Sequence, residues 1–307
     1  MDGIGVVPVF VAVAESGGFA AAARRLGVSK SAVSKRIALL EERLGVQLFH
    51  RTTRKVSLTE AGEHYFAHAV RALGAAREAE DAVLALQGTP KGRLRINAPM
   101  SFGRLHIAPL IPEFLETYPG IGIDMVMDDR VVDLVAEGFD LAIRGGSLDS
   151  SSLIARNIAP LNNMLLAAPA YVARHGEPSV PEDLLSHNCL HYAYSRDTRE
   201  WIFLSADDEF RISTTGSYRV NNGEALREAA VAGTGIARLQ TFVAGPDIAA
   251  GRLVRILPNY RMPAQSLYAV FLERRHLPAK VRAFVDFMVE RIGGEFPAWD
   301  RQAGLVS

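Results

Sequence analysis

Hydrophobic side chains follow three successive rhythms along the 307 residues. Over 6–15 they recur at helical spacing, at Val6, Val9, Phe10 and Val13, and Ser16-Gly17-Gly18 stops the run. The alanine-rich stretch from Phe19 to Leu26 predicts a second short helix, ended by Gly27. Ser29 stands where an N-cap belongs, ahead of a third helix from Lys30 to about Arg43. Val33, Ile37, Leu40 and Leu44 define its buried face, which leaves Ser31, Ser34, Lys35 and Ala38 on or near the other side. Gly45 ends that helix, and 47–58 read as a small hairpin with a basic tip.

The second rhythm is longer. From Thr59 to Leu86 there is no proline, and Tyr65, Ala69, Ala72, Ala76, Ala79, Val83 and Leu86 alternate by four and three. That is a heptad seam, which asks for a partner surface along a helix about 42 Å long. Either a second copy of the helix or the chain's own body meets the requirement. Gln87-Gly88-Thr89-Pro90-Lys91-Gly92 then breaks the helix and reads as a hinge.

Beyond the hinge, strand patterns at 94–98, 121–127, 140–144, 153–158, 164–167, 211–220, 235–239 and 267–272 alternate with amphipathic stretches. These lie at 105–118, 131–137, 223–232 and 278–292. The alternation predicts mostly parallel sheets covered by helices, and about 200 residues suit two small lobes with a cleft between them.

Composition narrows the function classes. With 49% hydrophobic and 22% charged residues, the chain has the balance of a soluble globular protein, and its length implies two or three folding units. No apolar run approaches the roughly 18 residues of a membrane span, and Met1-Asp2-Gly3-Ile4-Gly5 lacks the start of a secretory signal. The single cysteine, Cys189, rules out an internal disulfide framework and a thiolate-rich metal site, so a cytoplasmic protein without cofactor is expected.

The formal net charge is zero, but its distribution is uneven. Between Ala20 and Leu58 nine bases face only Glu41 and Glu42, a net +7 that leaves −7 on the rest of the chain. A basic head on an acidic body suits one domain that meets phosphate and one that does not; a solvated basic face is the plainer alternative. The eight histidines form no ligand motif beyond two loose pairs, His64 with His68 and His187 with His191, and no phosphate loop, dinucleotide fingerprint or nucleophile elbow occurs. Catalysis is therefore not expected. A secreted solute-binding protein would have no use for a basic winged head.

The head resembles the LysR-type transcriptional regulators. Ser16-Gly17-Gly18-Phe19-Ala20-Ala21-Ala22-Ala23-Arg24-Arg25-Leu26-Gly27-Val28-Ser29 matches the entry into that family's helix-turn-helix. Ser31-Ala32-Val33-Ser34, Leu40-Glu41-Glu42-Arg43-Leu44-Gly45, Leu48-Phe49-His50-Arg51-Thr52-Thr53-Arg54 and Leu58-Thr59-Glu60-Ala61-Gly62 follow in register. Gly18 departs from the usual serine, and His50 from an acid or asparagine. Further on, Leu94-Arg95-Ile96-Asn97-Ala98-Pro99, Gly138-Phe139-Asp140-Leu141-Ala142-Ile143-Arg144 and Gly233-Thr234-Gly235-Ile236-Ala237 resemble the family's effector domain, with its type 2 periplasmic-binding-protein fold. Asn221-Asn222-Gly223-Glu224-Ala225-Leu226 and the stretch from His276 to Phe287 are most similar to the CrgA-like branch.

The resemblance implies an α+β and α/β multidomain chain: a winged helix-turn-helix over 1–58, a dimerising linker helix over 59–87, a hinge at 88–92 and an effector-binding domain over 93–307. One lobe of that domain would hold 93–161 and 266–292, the other 162–265. It implies double-stranded DNA with an interrupted inverted repeat as partner, contacted by Ser29, Lys30, Ser31, Ser34, Lys35, Arg51, Thr53 and Arg54. It also implies a homodimer or homotetramer paired through the seam, RNA polymerase as a further partner, and a small-molecule effector.

For that effector, the turn Met100-Ser101-Phe102 follows the first body strand and opens a helix, where a hydroxyl and free N–H groups suit an anion. Ser101 either serves a ligand or caps its helix. Arg144 either clamps a carboxylate or pairs with Asp140 or Asp128, and Asn222 is a polar wall residue from the second lobe. Arg238 and Gln240 stand where the family has apolar residues and a proline. Arg238 either turns positive charge to the cleft, favouring an anionic effector such as an aromatic or small organic acid, or snorkels at the surface.

Overall fold

The computed structural model describes residues 5–51, 56–85, 89–146, 153–194, 200–205, 208–272 and 277–304. They fall into two compact units, Met1–Gly88 with Val132–Phe139, and Thr89–Val131 with Asp140–Ser307.

In the first unit, α1 (Val7–Ser16) stops at Gly17, whose φ of +62° only glycine adopts freely. Helix α2 (Phe19–Leu26) begins at Gly18 without a side-chain cap, which is what the missing serine costs. Helix α3 (Lys30–Leu44) is capped as expected, the Ser29 hydroxyl accepting the Ala32 N–H at 3.2 Å. Val33, Ile37 and Leu40 are buried, but Leu44 is 42% exposed. It is the last helical residue before the left-handed turn at Gly45, where the helix has already left the core. Strands β1 (Phe49–Arg51) and β2 (Val56–Leu58) form the expected hairpin, with Phe49 opposite Leu58 and Arg51 opposite Val56.

Helix α4 (Glu60–Ala85) begins after Thr59, whose hydroxyl receives the Gly62 N–H at 3.0 Å. It packs on α1 and β2, and also on Leu134–Glu137 from beyond the hinge. Phe10 fixes the core of this unit, with ring centroids 5.0 Å from Phe49 and 4.8 Å from Tyr65.

The second unit runs β3 (Gly92–Ala98), α5 (Met100–Phe102), a wide and then a tight helical turn over 103–110, α6 (Ile111–Thr117), β4 (Ile121–Met127), α7 (Leu134–Glu137, of the first unit), β5 (Leu141–Gly146) and β6 (Leu153–Leu161). Then come β7 (Asn163–Ala167), α8 (Pro169–His175), β8 (Cys189–Tyr192), β9 (Glu200–Leu204), β10 (Glu209–Ser213), β11 (Arg219–Val220) and α9 (Gly223–Val231). The chain continues with β12 (Ile236–Gln240), α10 (Thr241–Ala249), β13 (Val254–Arg255), β14 (Gln265–Leu272), α11 (Ala279–Ile292) and α12 (Ala298–Gln302).

Two five-stranded sheets result, in the orders β4-β3-β5-β14-β6 and β11-β8-β12-β7-β13, with β9 and β10 as a separate hairpin. They are mixed, not mostly parallel. Strands β3, β4 and β5 are parallel, as are β8, β11 and β12, whereas β14 pairs antiparallel with β5 and β6, and β7 with β12 and β13. The cause is the double crossing between sheets, after Leu161 and before Gln265, which returns the chain against its earlier direction.

The strand expected at 211–220 is two. Strand β8, which the hydrophobic pattern concealed, takes the pairing between them: the Cys189 N–H bonds the Thr215 carbonyl at 3.0 Å and the His191 N–H that of Tyr218 at 3.0 Å. Gly216 passes so close that a Cβ there would lie 1.7 Å from the Cys189 carbonyl oxygen. The helix expected at 131–137 starts only at Leu134, because Asp133 caps it, accepting the Val135 and Ala136 N–H groups at 2.9 and 3.0 Å.

The tail beyond Ile292 joins both sheets. Trp299 is buried in the core of the first, its ring 4.7 Å from His106 and 5.7 Å from Phe102, and Ala303 in that of the second. Between them the fully buried Asp300 carboxylate receives the Thr241 hydroxyl at 2.5 Å and the Asn162 amide at 3.0 Å.

Candidate functional site

The head presents a basic face because the other face of α3 is spent on the core. Lys30, Ser31 and Lys35 are exposed and Ser34 is half-buried. Ser29 is exposed too, but its hydroxyl is engaged: it caps α3 and lies 3.0 Å from the Ser31 hydroxyl. Arg25 is held by Glu15 at 2.5 Å. Arg51 closes β1, while Thr53 and Arg54 lie outside the described residues.

The predicted seam of α4 divides. Tyr65 and Ala69 pack into the head's own core, so these two positions are already covered. Ala72, Ala76, Ala79 and Val83 are exposed, Val83 by 60%. Leu86 lies outside the described residues.

In the second unit the elements bring a polar group together where α5 meets the start of α9. The Met100 backbone N–H, at the N-terminus of its helix, donates to Asp129 Oδ1 at 3.0 Å. Asp129 also takes a hydrogen bond from the Tyr192 hydroxyl at the end of β8. Burial pushes the Asp129 carboxyl above the ordinary carboxylate value, and the Tyr192 hydroxyl upward likewise. Asn222 caps α9, accepting the Ala225 N–H at 2.9 Å, and its amide points at Met100 Sδ at 3.4 Å. Arg104 grips Glu224 with two nitrogens, and this partner, more than the Ser101 hydroxyl, holds the Glu224 carboxyl below its usual range.

Sequence reasoning named Met100, Ser101 and Asn222 here; it missed Asp129, Tyr192, Glu224 and Arg104. The only signal was the acidic pair Asp128-Asp129 after a strand, and pairing across 29 to 120 residues leaves no local pattern.

Ser101 is 6% exposed and does not cap its helix, whose cap position is Pro99 without a side-chain bond. Phe102 is 1% exposed and stands in the core against His106, Phe242 and Trp299, so its ring contributes packing. Burial also lowers His106, whose Nε2 lies 3.1 Å from the Phe242 carbonyl.

Arg144 donates to the Ile143 carbonyl at 3.1 Å, and its charge reaches Asp128 and Asp129. Asp140 is engaged elsewhere, by the Arg95 N–H at 2.8 Å and by Lys280 at 3.3 Å. Arg238 is half-buried in the middle of β12 opposite Leu165. Strand alternation puts it on the face of Ile236, away from Ala237 and Leu239, which pack under α9.

Among the described residues no three His, Cys, Asp or Glu side chains could hold a metal ion, and no helix is long and apolar enough to cross a membrane.

The family described as LysR substrate binding domain matches residues 87–293, and that described as bacterial regulatory helix-turn-helix protein, lysR family, matches residues 6–63. The chain is 38% identical over 288 residues to the HTH-type transcriptional regulator PtxR of Pseudomonas aeruginosa, covering 93% of this chain and 92% of that one. The regulator CrgA of Neisseria meningitidis is 37% identical over 287 residues, covering 93% and 95%. The solved structure of CrgA superposes with a TM-score of 0.61 at 35% identity over 94% of this chain and 99% of that one. The full-length structure of the Vibrio cholerae virulence activator AphB gives a TM-score of 0.63 at 27% identity over 94% and 99%.

Proposed function

The chain belongs to the LysR family of DNA-binding transcriptional regulators, and we propose that it switches in response to a small carboxylic acid. The observation that carries this reading is the Asp129 carboxylate on the Met100 N–H. An internal carboxylate occupying a helix N-terminus marks that position as complementary to a carboxylate group. An effector carboxylate would replace it there, with the charge of Arg144 nearby. Releasing Asp129 would also release Tyr192, and with it a tie between the two sheets. The effector then binds the released arrangement better than the tied one, which is the difference in affinity that any switch requires.

Residues 1–58 serve in this reading as the DNA-binding domain, 59–87 as the dimerising helix, 88–92 as the hinge and 93–307 as the effector domain. Lys30, Ser31, Ser34, Lys35, Arg51, Thr53 and Arg54 contact DNA, and Ser29 acts by capping the helix that carries them. Two heads paired along α4 meet the halves of an inverted repeat, and pairs of dimers form the tetramer that RNA polymerase encounters. Ala72, Ala76, Ala79, Val83 and Leu86 form the paired stretch. Arg238 adds positive charge to the same domain.

The test has two arms. Footprinting upstream of the protein's own gene across a salt series should show a protected inverted repeat whose affinity falls steeply with salt. A melting-temperature screen of organic acids and their amides should then find carboxylates that stabilise the wild type and bind about tenfold more tightly to Asp129→Ala. Stabilisation by the uncharged amides alone would overturn the carboxylate reading.

A further inference from the structure

We propose that Glu41 is a positioning residue for DNA recognition, fixing the wing relative to the recognition helix without touching DNA itself. The proposal rests on the reading that the wing meets DNA.

A carboxylate is out of place in the head. Glu41 is one of two acids among nine bases between Ala20 and Leu58, and negative charge there opposes phosphate. The structure supplies a reason for its presence. Glu41 Oε1 receives the backbone N–H groups of both Leu48 (2.9 Å) and Phe49 (3.2 Å), the residues that lead into β1. From the other side, the Thr59 hydroxyl donates to the Gln47 carbonyl at 2.8 Å and the Thr59 N–H to the Leu48 carbonyl at 3.0 Å. Gly62 sits so close that a Cβ would lie 2.0 Å from the Leu48 carbonyl oxygen. Leu48 and Phe49 are themselves 1% exposed.

The segment 47–49 is thus clamped between the C-terminal half of α3 and the first turn of α4. One carboxylate oxygen sets the distance from recognition helix to wing, and with it the spacing between the bases read by α3 and the flanking backbone reached by the hairpin. Two charge-assisted bonds to one oxygen suit that task, because each is stronger than a neutral bond.

The experiment is a footprint of the full chain on its own upstream DNA, comparing wild type with Glu41→Ala, Glu41→Gln, Gly62→Ala and Arg51→Ala, each first shown by circular dichroism to keep its helices. Glu41→Ala should lose protection of the flanking backbone, keep protection at the centre of each half-site and bind about tenfold more weakly, with a shallower salt slope. Glu41→Gln, which keeps the accepting oxygen, should restore the flanks, and Gly62→Ala should reproduce their loss from the α4 side. A lower melting temperature with an unaltered footprint would overturn the proposal. If Arg51→Ala loses the flanks while Glu41→Ala keeps them, Glu41 is not what positions the wing. If Arg51→Ala keeps them, the wing reading itself falls, and the proposal with it.

Discussion

The carboxylate of Asp129 accepts the backbone N–H of Met100 at 3.0 Å, so the N-terminus of α5 is already neutralised from within the chain. A ligand anion competes there with a group tethered at fixed distance, which makes the site weak for any acid that offers nothing more than charge.

Proton uptake at that carboxyl has a definite sign. Burial raises Asp129 above the unfolded value of 3.8, so between the two values the folded chain holds a proton that the unfolded chain has released. Asp129 therefore adds to stability below the ordinary carboxylate range, and this is lost as pH rises towards the elevated value. Urea unfolding across a pH series should show that decline in the wild type and a flatter profile in Asp129→Asn.

Cys189 should be inert. It is fully buried, its thiol is pushed up to about 12, and its Sγ lies 3.7 Å from the Leu184 carbonyl. A thiol-directed reagent should modify native protein at a small fraction of the rate seen in denaturant, and mild peroxide should leave DNA affinity unchanged. Rapid native labelling would contradict this burial.

The divided seam of α4 predicts two different failures. Ala76→Glu places a charge on the exposed stretch, and sedimentation should show a loss of the proposed dimer with the head's melting temperature retained. Ala69→Glu places the same charge in the head's core, where Ala69 is 4% exposed, and should cost several kcal/mol and unfold the head.

Asp300→Ala removes the acceptor of two buried donors, Thr241 and Asn162. Leaving such groups unsatisfied costs about 1–3 kcal/mol each. Denaturant titration of the effector domain should register that loss, with the head's transition unmoved.

The parts legible in the sequence were those whose cause is local. Ser29, Gly27 and Gly45 announce helix ends by their own chemistry, and Val33, Ile37 and Leu40 show the buried face of α3 by spacing alone. Strands β4 and β14, expected at 121–127 and 267–272 and found at Ile121–Met127 and Gln265–Leu272, were equally plain. What escaped was decided by partners far away. Strand β8 is only four residues and depends on Thr215 and Tyr218, and Asp129 acquires its role through Met100 and Tyr192. Phe102 lies in the turn after the first body strand, where a ligand is expected, yet its ring turns to Phe242 and Trp299. Sequence order says little about which way a side chain points at a bend.

The staple at Asp300 also sets a timetable for synthesis. The bonds of the head join residues near one another in the chain, whereas Asp300 reaches back 138 residues to Asn162. At roughly 5–20 residues per second, the ribosome needs about 10–40 s to travel from the end of α4 to α12. For that interval a nascent chain carries residues 1–88, the larger part of the first unit, on a body whose two sheets still lack their tie at Asp300. Such a chain, still tethered to its own message, can meet DNA before it can answer to an effector.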